Sequence, residues 1–243
     1  MKNILSIFFL SFGFVVMAQI NTDRPSQSAS AFVLPEGAFQ VEAGFLSERP
    51  VSGVDEFNVQ YLNTLFRYGI IEGIELRLVQ NIQGFRAPGS TINGLGPTTL
   101  GAKFHLMEES GKIPQISVIG QATLTNGDKA FRPNNSVYEL RVNFQNTLSD
   151  RIALGYNVGI INSEGQNRIG LYSVLLGMAV ANDLTAFIEP YGFLTKNTRT
   201  DARLNGGLIY LISEDFQVDV TAGNALSNGA PDYFISMGAA MLF

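Results

Sequence analysis

About twelve times along this chain, a stretch near ten residues long alternates apolar and polar side chains, and polar turns separate the stretches. The segments begin near Gly37, Glu56, Gly73, Gly96, Pro114, Ser136, Arg151, Arg168, Asp183, Asp201, Asp215 and Asp232. A period of two is the signature of a strand with chemically different faces. One face carries Phe39, Val41, Ala43 and Phe45, then Leu76 and Leu78, Leu100 and Phe104, Tyr138 and Leu140, Leu154 and Tyr156. Mid-strand charges fall on the other face. Each segment is long enough to cross a bilayer as a tilted strand, which takes about 9 to 11 residues.

Which face meets water is decided by charge. Charged residues make up 15% of the chain, against about 25% in soluble domains, so something other than water covers part of the surface. After the first 18 residues no run of 18 apolar residues occurs, which excludes spanning helices. Strands in lipid must close on themselves, because open edges would leave backbone groups without partners. The expected fold is therefore all-β, a transmembrane antiparallel β-barrel of about twelve strands. A soluble sandwich or lipocalin-like barrel would also alternate, but its loops would not sort by length. Here short turns such as LSDR, ANDL and SEDF alternate with longer polar loops such as ERPVSGVDE, FRAPGSTING and NGDKAFRPNN. Transmembrane barrels put short turns on the periplasmic side, and an even strand number returns both ends of the barrel there. MEESGKIP is longer than that scheme expects.

The opening stretch, MKNILSIFFLSFGFVVMAQ, has Lys2, an apolar run and small residues at Ala18. It is read as a signal peptide cleaved after residue 18, with export to the outer membrane of a Gram-negative bacterium. Residues 19–36 then form either a solvated periplasmic segment or a plug, in which Asp23 and Arg24 pair with lumen charges. Residues 37–243 form the barrel.

Chemistry by catalysis is set aside. Cysteine is absent, and His105, the only histidine, is followed by Leu106 and Met107 rather than a serine nucleophile. One histidine with scattered acids gives no metal cluster, and no cofactor is implied. A net charge of −5 with no basic patch argues against nucleic acid. The inward set holds Glu42, Glu75, Glu139, Glu189 and Asp219 against Arg67, Arg77, Lys103, Arg141 and Arg203, with His105 as a hydrogen-bonding lumen residue. Opposite charges on neighbouring strands can pair. One wall is less polar, with Ala153, Gly155, Gly159, Leu171, Leu175, Gly177, Ala179, Phe234, Ala240 and Leu242. Twelve strands enclose less than the wide channel of sixteen, so a narrow pore partly crossed by ion pairs is expected.

The last strand ends in SMGAAMLF. Its Ser236, Gly238, Met241 and Phe243 resemble the β-signal by which the barrel assembly machinery recognises a final strand, which implies that machinery and outer-membrane lipid as partners. A narrower resemblance lies at the start of the mature chain. Thr22, Asp23, Arg24 and Pro25, then Pro35, Gly37, Phe39, Gln40, Glu42 and Gly44, resemble the opening of an outer-membrane transporter family labelled the MetA pathway of phenol degradation. GLGPTTLGAKF and LSDRIALGYNVG are similar to that family too. The resemblance implies a barrel with a transport role and leaves the cargo open. The expected function is a channel or transporter for passive uptake or efflux of small molecules, apolar or aromatic ones included. The alternative is a non-conducting structural or adhesive surface barrel.

Overall fold

The computed structural model describes residues 20–50 and 54–243; the expected signal peptide lies outside them. The described residues form thirteen strands: β1 (Phe39–Arg49), β2 (Phe57–Ile71), β3 (Ile74–Ala87), β4 (Ser90–Leu95), β5 (Thr99–Met107), β6 (Gln115–Thr123), β7 (Val137–Ser149), β8 (Ile152–Ser163), β9 (Ile169–Ala179), β10 (Leu184–Thr195), β11 (Asp201–Ser213), β12 (Phe216–Ala225) and β13 (Tyr233–Leu242). Neighbours in sequence pair antiparallel, except β4 with β5, and β1 pairs with β13 to close the barrel. β3 pairs with β5 through Ile74–Val79 and with β4 through Ile82–Ala87. β4 and β5 thus share one stave, broken at residues 96–98, and the closed barrel has twelve.

One expectation about a loop is corrected. FRAPGSTING was read as a long polar loop, yet most of it is paired sheet, a hairpin turning at Pro88 and Gly89. Gly89 takes φ 75°, a left-handed conformation that costs glycine little. The β-branched Thr91 and Ile92 then suit the returning strand. MEESGKIP is longer than its neighbouring turns because it folds as a small hairpin, bridged between Ser110 and Ile113.

The barrel is inverted relative to a soluble protein. Its largest fully buried side chains are polar, headed by Arg67, Lys103, Gln40, Glu42, Glu75 and Glu189. Its exposed side chains include Leu76, Leu100, Leu140, Val158, Ile188, Leu208 and Met237. In water this arrangement would expose large apolar area at about 25 cal/mol per Å². In lipid the outward band costs nothing, and closure through β1 and β13 gives the strands that end the sequence partners on both sides. The rings of Phe39, Phe66 and Phe243 meet at the short-turn end, with centroids 6.4 and 5.9 Å from Phe39. Tyr68 and Tyr210 stand exposed near the same end, where aromatic rings suit the membrane–water boundary.

The facing of β7 provides a test. Leu140→Arg would put a charge on the lipid face and is expected to destabilise the folded barrel by up to about 2 to 4 kcal/mol. Asn143→Arg, on the opposite face, is expected to cost clearly less. Urea titrations in lipid vesicles would measure both, and the reverse order would refute the assigned faces.

Candidate functional site

Residues 20–36 do not continue the sheet. They run inside the barrel, crossing from β1 to the far wall and back. Ile20 N–H donates to the Glu214 carbonyl at 3.2 Å, at the β11–β12 turn. Thr22 Oγ1 accepts from Gln217 Nε2 at 2.9 Å on β12. At Gln27 to Ala29 the segment reaches β7 to β10. At residues 35–37 it returns to β2, where Gly37 N–H donates to Gly69 O at 2.8 Å.

A backbone without secondary structure, buried in a narrow lumen, must find partners for each N–H and C=O. The wall side chains supply many of them, and they divide by sign. Carboxylates take the N–H groups. Glu42 accepts from Asp23 N at 3.0 Å and from Arg24 N at 2.9 Å. Glu189 accepts from Gln27 N at 2.9 Å and Ser28 N at 2.7 Å, and Glu75 from Leu34 N at 3.0 Å. Cations take the carbonyls. Arg67 donates to Asn21 O and Phe32 O, Lys103 to Ser30 O and Phe32 O, and Arg141 to Gln27 O. The amide of Asn157 does both for Ala29, accepting its N–H at 2.7 Å and donating to its carbonyl at 3.1 Å.

The same charges also meet each other. Arg67 grips Glu75 with two nitrogens, at 2.7 and 2.8 Å, and reaches Glu42 at 3.0 Å. Arg77 bridges Glu75 and Asp23, both at 2.6 Å, and Lys103 lies 3.2 Å from Asp23. Three acids and three bases, contributed by β1, β2, β3, β5 and the N-terminal segment, thus form one compact cluster in which every member is almost wholly buried. Arg24 stands apart and pairs with Asp219 of β12 at 2.9 Å.

The other inward charges lie elsewhere. Glu139 and Arg141 pair along β7 at 2.7 Å and stay partly exposed. Arg203 bonds to Asp201 at 2.7 Å and Glu48 at 3.0 Å near the long-loop end, its guanidinium 5.7 Å from the Tyr191 ring centre. Glu48 and Asp201 were missed in the sequence because they sit beside loops, although each keeps the parity of an inward neighbour, Glu42 and Arg203. His105 stands at the short-turn rim, 3.3 Å from Glu108 in the adjoining turn. Among the described residues no group of three or more His, Cys, Asp or Glu could hold a metal ion.

Space remains on both sides of the crossing segment. At the short-turn end a cavity of about 380 Å³ lies between it and the small-residue wall of Ala153, Gly155, Leu175, Gly177, Ala179 and Phe187. Toward the long loops lie cavities of about 220 and 400 Å³. The outer one is lined by Asn58, Gln60, Asn63 and Gln83, with Tyr191 and Phe234 opposite and Phe131 contributed by loop 124–136. Arg24, Pro25 and Ser26 border both the inner cavity and the one above it.

Burial separates these pairs in energy. Glu75→Ala would leave Arg67, Arg77 and Lys103 sharing fewer acids in a dry cluster, and is expected to cost about 3 to 5 kcal/mol. Glu139→Ala, whose partner is partly solvated, is expected to cost at most about 1 kcal/mol. Equal effects on the urea midpoint of the folded barrel would contradict the cluster's weight.

Comparisons with known proteins agree with this architecture. The KdgM porin superposes with a TM-score of 0.56 at 14% identity, covering 84% of this chain and 99% of that one. The NanC porin gives 0.57 at 10%, with 84% and 98% covered. The toluene transporter TbuX of Ralstonia pickettii gives 0.50 at 8%, with 88% and 91% covered. At such identities the likeness is one of fold, the porin-like outer-membrane barrel. A search of curated proteins finds no match. A family model does match, over residues 22–243, a span that begins at the Thr22–Pro25 segment and takes in the whole barrel. The chain belongs to the family described as "Putative MetA-pathway of phenol degradation".

Proposed function

We propose that the barrel is a passive channel for small, uncharged molecules, closed in this conformation by the strap of residues 24–29. The observation that carries the proposal is the pair of cavities bordered by the same three strap residues, Arg24, Pro25 and Ser26. With residues 25–29 released from the wall and Arg24 still seated, the inner cavity, the one above it and the outer vestibule that Gln27 also borders would join into one route through the barrel.

The linings speak to the cargo. In the vestibule Arg203 is already shared by Asp201 and Glu48, so an anionic solute would meet an occupied cation and a surplus acid. Carboxamides beside aromatic rings suit a neutral ring compound with a few polar groups. The inner wall of Ala153, Gly155, Leu175 and Gly177 suits an apolar one, and a toluene transporter uses a similar barrel. Sites that bind small molecules are commonly apolar with a few placed polar groups.

A second reading has its own observation. The strap is held at both ends by charged partners, and a permanently closed barrel would serve as a structural or adhesive surface protein through its loops. Planar-bilayer recordings separate the two. Asn157→Ala and Glu189→Gln release the far end of the strap and leave Arg24 in its seat, so conductance is expected to rise above that of the unaltered barrel. Arg141→Ala in that background removes a lumen cation, and cation preference is expected to increase, less so at high salt where charges are screened. Barrels that stay silent through all these changes, while still migrating faster unheated than boiled, would favour the surface protein.

A further inference from the structure

The junction between β1 and β13 differs from every other in the barrel. The other neighbours are joined by local connections, whereas the pairing of Gly44 with Gly238 must bring together residues from opposite ends of the barrel sequence. Contacts of such separation pay the largest closure entropy and gain no help from a turn. The seam is also thin in side chains at its centre. Ala43 faces Ala239 and Gly44 faces Gly238, so the cross-strand side-chain pairs that stabilise a sheet are nearly missing there.

Arg24 occupies that place from the inside. Its guanidinium lies against both glycines, and a Cβ on either Gly44 or Gly238 would overlap it. Its side chain bonds to Asp219 on β12 at 2.9 Å and to Ser236 on β13 at 3.3 Å. Its own N–H, with that of Asp23, is held by Glu42 on β1. One residue therefore binds the first strand with its backbone and the last two with its side chain.

We propose that the N-terminal segment has a function separate from any transport: it is the clasp that fastens the closing seam, with Arg24 as its tooth and the Gly44–Gly238 notch as its catch. The clasp rests on the seam geometry alone and stands whether or not the barrel conducts.

Gel mobility of the unheated full-length protein, followed against temperature, reports loss of the closed barrel. Arg24→Ala is expected to lower the temperature of that loss, and so is Gly44→Ala, which keeps every charge but fills the notch. The double variant is expected to lose no more than the larger single effect, since both break one contact. Gly120→Ala, where an added Cβ meets nothing within 4 Å, is the control and is expected to shift nothing. The chain has no cysteine, so a disulfide can be placed at will. Ala43→Cys with Ala239→Cys locks the seam and is expected to restore Arg24→Ala. Val142→Cys with Val158→Cys, paired across β7 and β8, is expected not to. Should Arg24→Ala yield no closed barrel, its recovery by the seam disulfide alone would uphold the clasp. Unchanged melting of Arg24→Ala, additive losses, or equal rescue by both disulfides or by neither would overturn it.

Discussion

An irregular backbone threaded through a membrane barrel must be solvated by something other than water, and the rest of this structure depends on how that is done. Each unpaired N–H or C=O in a dry interior costs on the order of 2 to 7 kcal/mol. Glu42, Glu75 and Glu189 accept the N–H groups, while Arg67, Lys103 and Arg141 donate to the carbonyls. Here a set of side chains takes the role that a neighbouring strand plays in a sheet. Both signs are needed in the lumen for this reason, because a peptide unit presents one donor and one acceptor.

The charges would be a liability if they served only each other. Burying an ion pair seldom gains stability over an apolar pair, because desolvation offsets the attraction. In this lumen the pairs also hold main chain, and Asp23 of the segment completes the cluster with Arg77 and Lys103. Barrel and segment are therefore a single folded unit, with no apolar core of the usual kind. The apolar side chains are spent on the outside, where β1 to β13 present Leu, Val, Ile and Met to lipid.

Much of this was legible in the sequence, for a plain reason. A period of two writes the face of each residue into its position, so Leu140 and Asn143 could be sorted without a structure. The closing partner of β1 was also legible, since an all-lipid barrel admits no free edge. The path of residues 20–36 was not, because a segment without periodicity carries no record of its neighbours. Asp23 meets Lys103 across 80 positions, and no local pattern could announce it. The FRAPGSTING hairpin was hidden by composition, its polar residues reading as loop while Gly89 turned the chain back on itself. Gly44 and Gly238 stood out as motif and end-signal glycines, but their shared reason, the room needed by one guanidinium, required both strands side by side.

The wall's grip on main-chain atoms has an evolutionary consequence. At Gln27 what is held is peptide, its N–H by Glu189 and its carbonyl by Arg141, and the residue borders open cavities. Substitutions there would leave the scaffold's hold intact while recasting the surface a passing molecule meets. A lineage could thus change what its barrel discriminates by editing a single codon of the crossing segment, without disturbing a single strand.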